Sequence, residues 1–141
     1  MTEPTPIERA LALPSGARFY KCALQVNPFE YLKRHGRSTS FSDEASYNLA
    51  IVEACKEQDI EVIAVTDHFR VRSGRSLKET AEAAGIHVFP GFEAVTSDGV
   101  HLLCLFNPNR AVKQLERVLG DCGIHDEEAE SPLGKYDAVK L

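Results

Sequence analysis

The chain has 141 residues, 43% of them hydrophobic and 26% charged, and a formal net charge of −5 at pH 7. This length suits a single domain, and the composition is typical of a globular protein, which excludes a disordered tail. The negative net charge argues against a protein that coats nucleic acid without specificity, because such binding depends on many contacts from Lys and Arg to phosphate.

The sequence also indicates the compartment. No apolar run approaches the roughly 20 residues that cross a bilayer, and the polar, proline-bearing amino terminus does not resemble a signal peptide. We therefore expect a cytoplasmic protein without a membrane partner. None of the four cysteines belongs to a CxxC pair, so neither a zinc knuckle nor a redox motif is predicted. Three of the four lie in apolar segments, where we expect buried and reduced thiols.

The predicted elements alternate between strands and helices. Residues 1–16 form a leading segment, residues 17–122 an α/β domain, and residues 123–141 an acidic loop and the start of a further helix. Because strands joined by helices form βαβ crossovers, the sheet should be parallel. Apolar runs predict strands at 17–26, 61–67, 86–89 and 100–106. Amphipathic patterns predict helices at 43–58, 76–84 and 110–119. Ser42 is predicted to cap the first of these helices.

Asp67 and His68 end a run of β-branched and apolar residues. In α/β folds, ligands collect outside the carboxyl ends of the strands, where loops carry polar groups without burying them. A buried strand that ends in two metal-capable side chains therefore indicates a site. The alternative is a helix cap beside a hydrogen-bonded histidine.

Four other side chains are predicted to lie near the same rim. Gln25 and Asn27 are two residues apart near the end of the first strand, so they share a face. Glu93 follows a Pro-Gly pair that we expect to close the third strand, and His101 is the polar residue near the start of the fourth. The alternatives are a turn at Asn27 with an exposed Gln25, a surface carboxylate and a core imidazole.

Two basic loops should flank this rim. Arginine is suited to bidentate contacts with phosphate, whereas the alternative role of these residues is ordinary loop solubility. The candidates for phosphate binding are Arg34, Arg37, Arg70, Arg72 and Arg75.

Three groups of residues resemble, in order, the first three motifs of the PHP (polymerase and histidinol phosphatase) family. That family has a distorted β/α barrel in which His, Asp and Glu side chains at the strand ends bind two or three metals and hydrolyse phosphoesters. The groups are Gln25-x-Asn27, Thr66-Asp67-His68, and Pro90-Gly91-Phe92-Glu93 followed by Gly99-Val100-His101-Leu102-Leu103.

The resemblance implies a fold, a cofactor and a set of site residues. The fold would be a partial, distorted β/α barrel of PHP type, with a parallel sheet flanked by helices. The cofactor would be a divalent metal, namely manganese, magnesium or zinc. Asp67, His68 and Glu93 would be catalytic, and these three with His101, Gln25 and Asn27 would bind the metal.

The first motif departs from the family pattern. The usual His-x-His is Gln25-x-Asn27 here, and the acidic residue often found two positions earlier is Ala23. An amide oxygen can complete a shell around magnesium, calcium or manganese, but it replaces imidazole poorly on zinc or iron. We therefore expect reduced metal occupancy in a degenerate active site.

The opening is also similar to the amino-terminal part of large bacterial proteins that join a PHP domain to an ATPase. The chain contains no GxxxxGK[ST] motif, so an ATPase would be a further domain or subunit. We expect the fourth PHP motif to lie beyond Leu141. An incomplete barrel exposes sheet edges, which favours a homo-oligomer.

Two functions follow from these observations. The first is a PHP-like metal-dependent phosphoesterase segment, a hydrolase that acts on a phosphoester substrate such as nucleic acid or a nucleotide. The second is a non-catalytic PHP-like binding or regulatory module of a larger ATPase-containing protein. The retained acidic and histidine residues favour the first function, and the altered first motif favours the second.

Overall fold

The computed structural model describes residues 5–13, 18–36, 40–96 and 98–124. Strands and helices alternate over most of this range, and a short 3-10 turn, Arg72–Gly74, precedes α4. The elements are α1 (Pro6–Leu11), β1 (Cys22–Val26), α2 (Phe29–Arg34), α3 (Glu44–Glu57), β2 (Val62–Val65), α4 (Arg75–Ala83), β3 (His87–Val95), β4 (His101–Leu105) and α5 (Val112–Asp121).

The four strands form one curled sheet, a half-barrel flanked by helices, in the order β1-β2-β3-β4. β1, β2 and β3 are parallel, as predicted for strands joined by helices. β4 is antiparallel to β3, so the prediction of a wholly parallel sheet is wrong. The reason is the short connection: five residues separate the two strands, too few for a helical crossover.

β3 is longer than its sequence suggested. We expected Pro90 and Gly91 to close it, but the strand continues through both residues to Val95. Pro90 has no amide hydrogen to donate, but its carbonyl accepts a hydrogen bond from the N–H of Phe106 at 3.0 Å. A Cβ on Gly91 would clash with the carbonyl oxygen of Cys104, so glycine permits the close pairing with β4. This extension carries Glu93 inside the sheet.

The core lies on the helix side of the sheet and has two parts. α3 and α4 pack on β2 and β3, where Ile63, Leu77 and Val88 are buried. α5 packs on β3 and β4, where Phe92 and Leu115 are buried. All four residues of β2 are buried, which is expected for a parallel strand inside a sheet.

Two local predictions need correction. Asp43, and not Ser42, caps α3: its side chain accepts a hydrogen bond from the N–H of Ser46 at 2.8 Å. α2 lies partly within residues 33–40, for which the sequence predicts a basic loop. Pro28 precedes α2, where its missing amide hydrogen costs nothing.

The cysteines are free, but fewer of them are buried than predicted. Cys55 is buried, Cys104 and Cys122 are partly buried, and Cys22 is exposed. Cys22 belongs to β1, which has β2 as its neighbour on one side, and the sheet order places β1 at the edge. Cys22 is therefore exposed, although it lies in an apolar run, because its strand is at the edge of the sheet.

The predicted helix beyond residue 124 lies outside the described residues. Ile124 itself is buried against the α5 core. Among the helices described, none has the length and apolar character that a bilayer crossing requires.

The packing of α4 on the sheet generates a stability prediction. Leu77 is 0% exposed and Leu49, on α3, is 57% exposed. Leu77→Ala should lower the free energy of unfolding by about 2–5 kcal/mol through lost burial and the cavity left behind. The matched control, Leu49→Ala, should change it by less than about 0.5 kcal/mol. Urea denaturation followed by circular dichroism measures both, and equal effects would contradict this packing.

Candidate functional site

The side chain of Glu93 is the meeting point of the predicted site. It is 5% exposed, and its Oε2 lies 2.9 Å from the Nε2 of His68. The Nε2 of Gln25 donates a hydrogen bond to the same oxygen at 2.9 Å. The Nδ1 of His101 lies 2.6 Å from the other oxygen, Oε1. We call these four residues the Glu93 cluster.

Each member of the Glu93 cluster comes from a different strand or strand end. The pairing of β1 with β2 is irregular between Ala23 and Val26, and Gln25 lies within that irregularity. Such an irregularity redirects a side chain. His101 pairs with Val95, and the partner of Glu93 is Leu103. Glu93 and His101 are therefore diagonal neighbours on one face of the β3–β4 pair.

The backbone holds His68 against Glu93. The N–H of Phe69 donates to the carbonyl of Glu93 at 3.0 Å, and the N–H of Glu93 donates to the carbonyl of Asp67 at 2.9 Å. Phe69 adopts φ of +51°, a left-handed conformation that is uncommon for a bulky residue. This local arrangement turns the chain after β2 so that His68 reaches the carboxylate.

The carboxylate of Asp67 has a different set of partners. It is 1% exposed and forms an ion pair through both oxygens with Arg34, whose side chain is 19% exposed. It also accepts a hydrogen bond from the hydroxyl of Ser73 and one from the N–H of His68 at 2.8 Å. Asp67 and His68 are adjacent in sequence, but one binds an arginine and the other binds Glu93.

The remaining predicted residues have other surroundings. The Oδ1 of Asn27 is buried with no hydrogen-bond donor in the described part of the chain. Arg72 pairs with Glu116, and Arg75 pairs with Glu79 at 2.8 Å. Arg70 forms a backbone bridge with Asp67, and Arg37 lies outside the described residues.

Sequence reasoning missed three residues near His68. Ser73 supports Asp67, and no pattern in the sequence distinguished it from other loop serines. The ring of Tyr31 lies 5.3 Å from that of His68, and the ring of His35 lies 5.6 Å from it. Tyr31, Arg34 and His35 are spaced three and four apart, so they share one face of α2 and its end. A helix prediction at 29–34 would have exposed this signal.

The surroundings of Glu93 alter its acidity. Burial raises the pKa of its carboxyl, but hydrogen bonds from His101 and Gln25 and the electrostatic interaction with His68 outweigh burial and lower the pKa. The carboxylate is therefore stabilised in its charged form at neutral pH.

The Glu93 cluster contains side-chain types that can bind a cation. Two imidazoles, a carboxylate and an amide suit a divalent transition metal. The Nδ1 of His68 is buried and has no partner in the described part of the chain, so this ring has unused bonding capacity. In their observed positions, however, no three His, Cys, Asp or Glu side chains in the described residues have the arrangement of a metal site.

Comparisons with known proteins add little to this geometry. No protein-family model matches the chain. An uncharacterized protein of Methanocaldococcus jannaschii is 34% identical over 59 residues, which are 42% of this chain and 34% of the relative. The matched part thus spans about a third of that relative. The likeness to the PHP family remains a resemblance of short motifs.

The lowered pKa of Glu93 predicts a pH dependence. A carboxyl with a lowered pKa contributes stability above its ordinary value, 4.5, and this stability is lost as pH falls through the folded-state pKa. The free energy of unfolding should therefore fall on acidification below that value, and less steeply in Glu93→Gln. Glu53→Gln, at an exposed position of α3, is the control for lost charge. Urea titrations across the acid range would contradict the assignment if the Glu93→Gln slope matched wild type.

The Arg34 and Asp67 pair predicts a coupled loss of stability. Arg34→Ala leaves a buried carboxylate without its counter-charge, which should cost about 3–5 kcal/mol of folding free energy. Adding Asp67→Asn removes that charge and should recover part of the loss. Arg75→Ala, which breaks an exposed pair, should leave stability almost unchanged. Additive effects of Arg34→Ala and Asp67→Asn in a double-mutant cycle would show that the two residues do not interact.

Proposed function

We propose that the chain is a PHP-like segment of a metal-dependent phosphoesterase, with one divalent cation held by the Glu93 cluster. The observation that supports this function is the convergence of His68, His101 and Gln25 on one buried carboxylate. Because these residues come from four separate places in the chain, their meeting requires the whole sheet.

The residues of the Glu93 cluster have separate roles in this proposal. His68, Glu93 and His101 would hold the cation. The amide of Gln25 would either contribute its oxygen as a further metal ligand or hold the Glu93 carboxylate in place through its hydrogen bond. When bound, a divalent cation supplies a Lewis acid that polarises a phosphoester and favours attack by water. His101 is 55% exposed, so the substrate would approach from its side.

Asp67 and Arg34 argue for one cation instead of a cluster of two or three. Asp67 is already neutralised by a guanidinium, and its oxygens have hydrogen-bond donors. A second metal would need this carboxylate and would have to displace Arg34. Arg34 would therefore supply the positive charge that a further metal supplies in the family, next to the phosphate of the substrate.

Manganese, magnesium and zinc are the candidate cations. The two imidazoles favour manganese or zinc, because magnesium prefers oxygen ligands. Nucleic acid and nucleotides are the proposed substrates, and an ATPase domain or subunit is the proposed partner. These last assignments depend on the resemblance alone.

Metal titration and hydrolysis test this function together. The purified chain should bind one equivalent of manganese by elemental analysis after dialysis, and should hydrolyse bis(p-nitrophenyl) phosphate when manganese is added. His68→Ala removes an imidazole ligand and should weaken metal binding at least about tenfold and abolish turnover. His87→Ala, at the exposed start of β3, is the matched control and should leave both unchanged.

The second candidate function is a non-catalytic PHP-like binding module. The ion pair of Asp67 with Arg34 favours it, because this pair stabilises a buried carboxylate without a metal. The amides at positions 25 and 27 favour it as well. A folded chain that binds no divalent cation and hydrolyses no phosphodiester under any of the three metals would exclude the enzyme and leave the binding module.

A further inference from the structure

A cavity lies between α4 and the start of α5, away from the Glu93 cluster. Its volume is about 330 Å³, and none of the four cluster residues lines it. Apolar side chains, including Val65, Pro90 and Leu115, form part of its wall. A cavity of this size is at the lower end of the range for small-molecule sites, roughly 300–1,000 Å³.

The charged side chains around this cavity are mostly basic. Arg75, Lys78, Arg110 and Lys113 line it, together with one acidic residue, Glu79. Arg75 pairs with Glu79 at 2.8 Å, and Lys78 pairs with Glu82, outside the lining, at 2.6 Å.

Arg110 and Lys113 are different from the other two cations. Neither forms an ion pair within residues 5–13, 18–36, 40–96 and 98–124. Among the described residues, the cations around the cavity that have no ion-pair partner therefore lie at its α5 side.

The first turn of α5 adds to this positive charge. Ala111 precedes the helix and has no side-chain group to cap it. The side chain of Gln114 accepts a hydrogen bond from the N–H of Ala111 at 3.1 Å. This hydrogen bond leaves the backbone N–H groups of Val112 and Lys113 without an acceptor from that side chain. Both of these residues line the cavity. The start of a helix carries partial positive charge and favours an anion.

We propose that this cavity binds a small organic anion. Its carboxylate or phosphate faces Arg110, Lys113 and the first turn of α5, and its apolar body lies against Val65, Pro90 and Leu115. This assignment is independent of the proposed phosphoesterase, because the two sites share no residue.

The test uses the full chain and octanoate as the probe, with octanol as its uncharged counterpart. In ¹H–¹⁵N correlation spectra, octanoate should shift the amide signals of Val112 and Lys113 in a saturable manner, and octanol should bind much more weakly. Arg110→Glu with Lys113→Glu should weaken octanoate binding about tenfold or more. The matched control is Lys56→Glu with Arg117→Glu, two exposed positions elsewhere, which should leave affinity unchanged.

A second variant separates loss of the site from loss of the fold. Ala111→Trp places a ring at the exposed edge of the cavity and should abolish octanoate binding while the far-UV circular dichroism stays that of wild type. Equal binding of octanol and octanoate, equal binding of inorganic phosphate, or wild-type affinity in the folded Ala111→Trp chain would each overturn the proposal.

Discussion

The burial of the Glu93 carboxylate is the constraint on which the site depends. A charged carboxylate inside a protein is unfavourable unless donors and positive charge surround it. Here Gln25, His68 and His101 supply them from β1, the end of β2 and β4. The half-barrel sheet, the irregularity in β1 and the left-handed turn at Phe69 all contribute to that arrangement.

A second buried carboxylate, that of Asp67, has the same requirement but a separate set of side-chain partners. Asp67 is neutralised by Arg34 from α2 and supported by Ser73. The side chains that contact the carboxylate of Asp67 belong to different residues from those that contact the carboxylate of Glu93. This separation distinguishes the arrangement from a site in which several carboxylates share metals, and it is why we propose a single cation.

Sequence patterns predicted most elements because the patterns reflect burial. The predicted strand at 61–67 contains β2, and the amphipathic segment at 43–58 contains α3. The failures have local causes. α2 is short and contains Lys and Arg, so its helical face was hidden in a basic segment. The Pro-Gly pair within β3 is ordinarily a strand terminator, but close pairing with β4 requires glycine at position 91. The direction of β4 depends on the connection between β3 and β4, which is too short for a helical crossover.

The sequence by itself determined the α/β class, the parallel β1–β2–β3 order of elements and the candidate residues at the strand ends, because alternation and strand-end chemistry are local properties. Only the tertiary structure decided that His68, Glu93, His101 and Gln25 meet while Asp67 joins Arg34. The physical reason is that ion pairing and hydrogen bonding act through space. Gln25 and Glu93 are 68 positions apart in the chain. The spacing of residues in a single sequence does not predict which side chain pairs with which buried carboxylate.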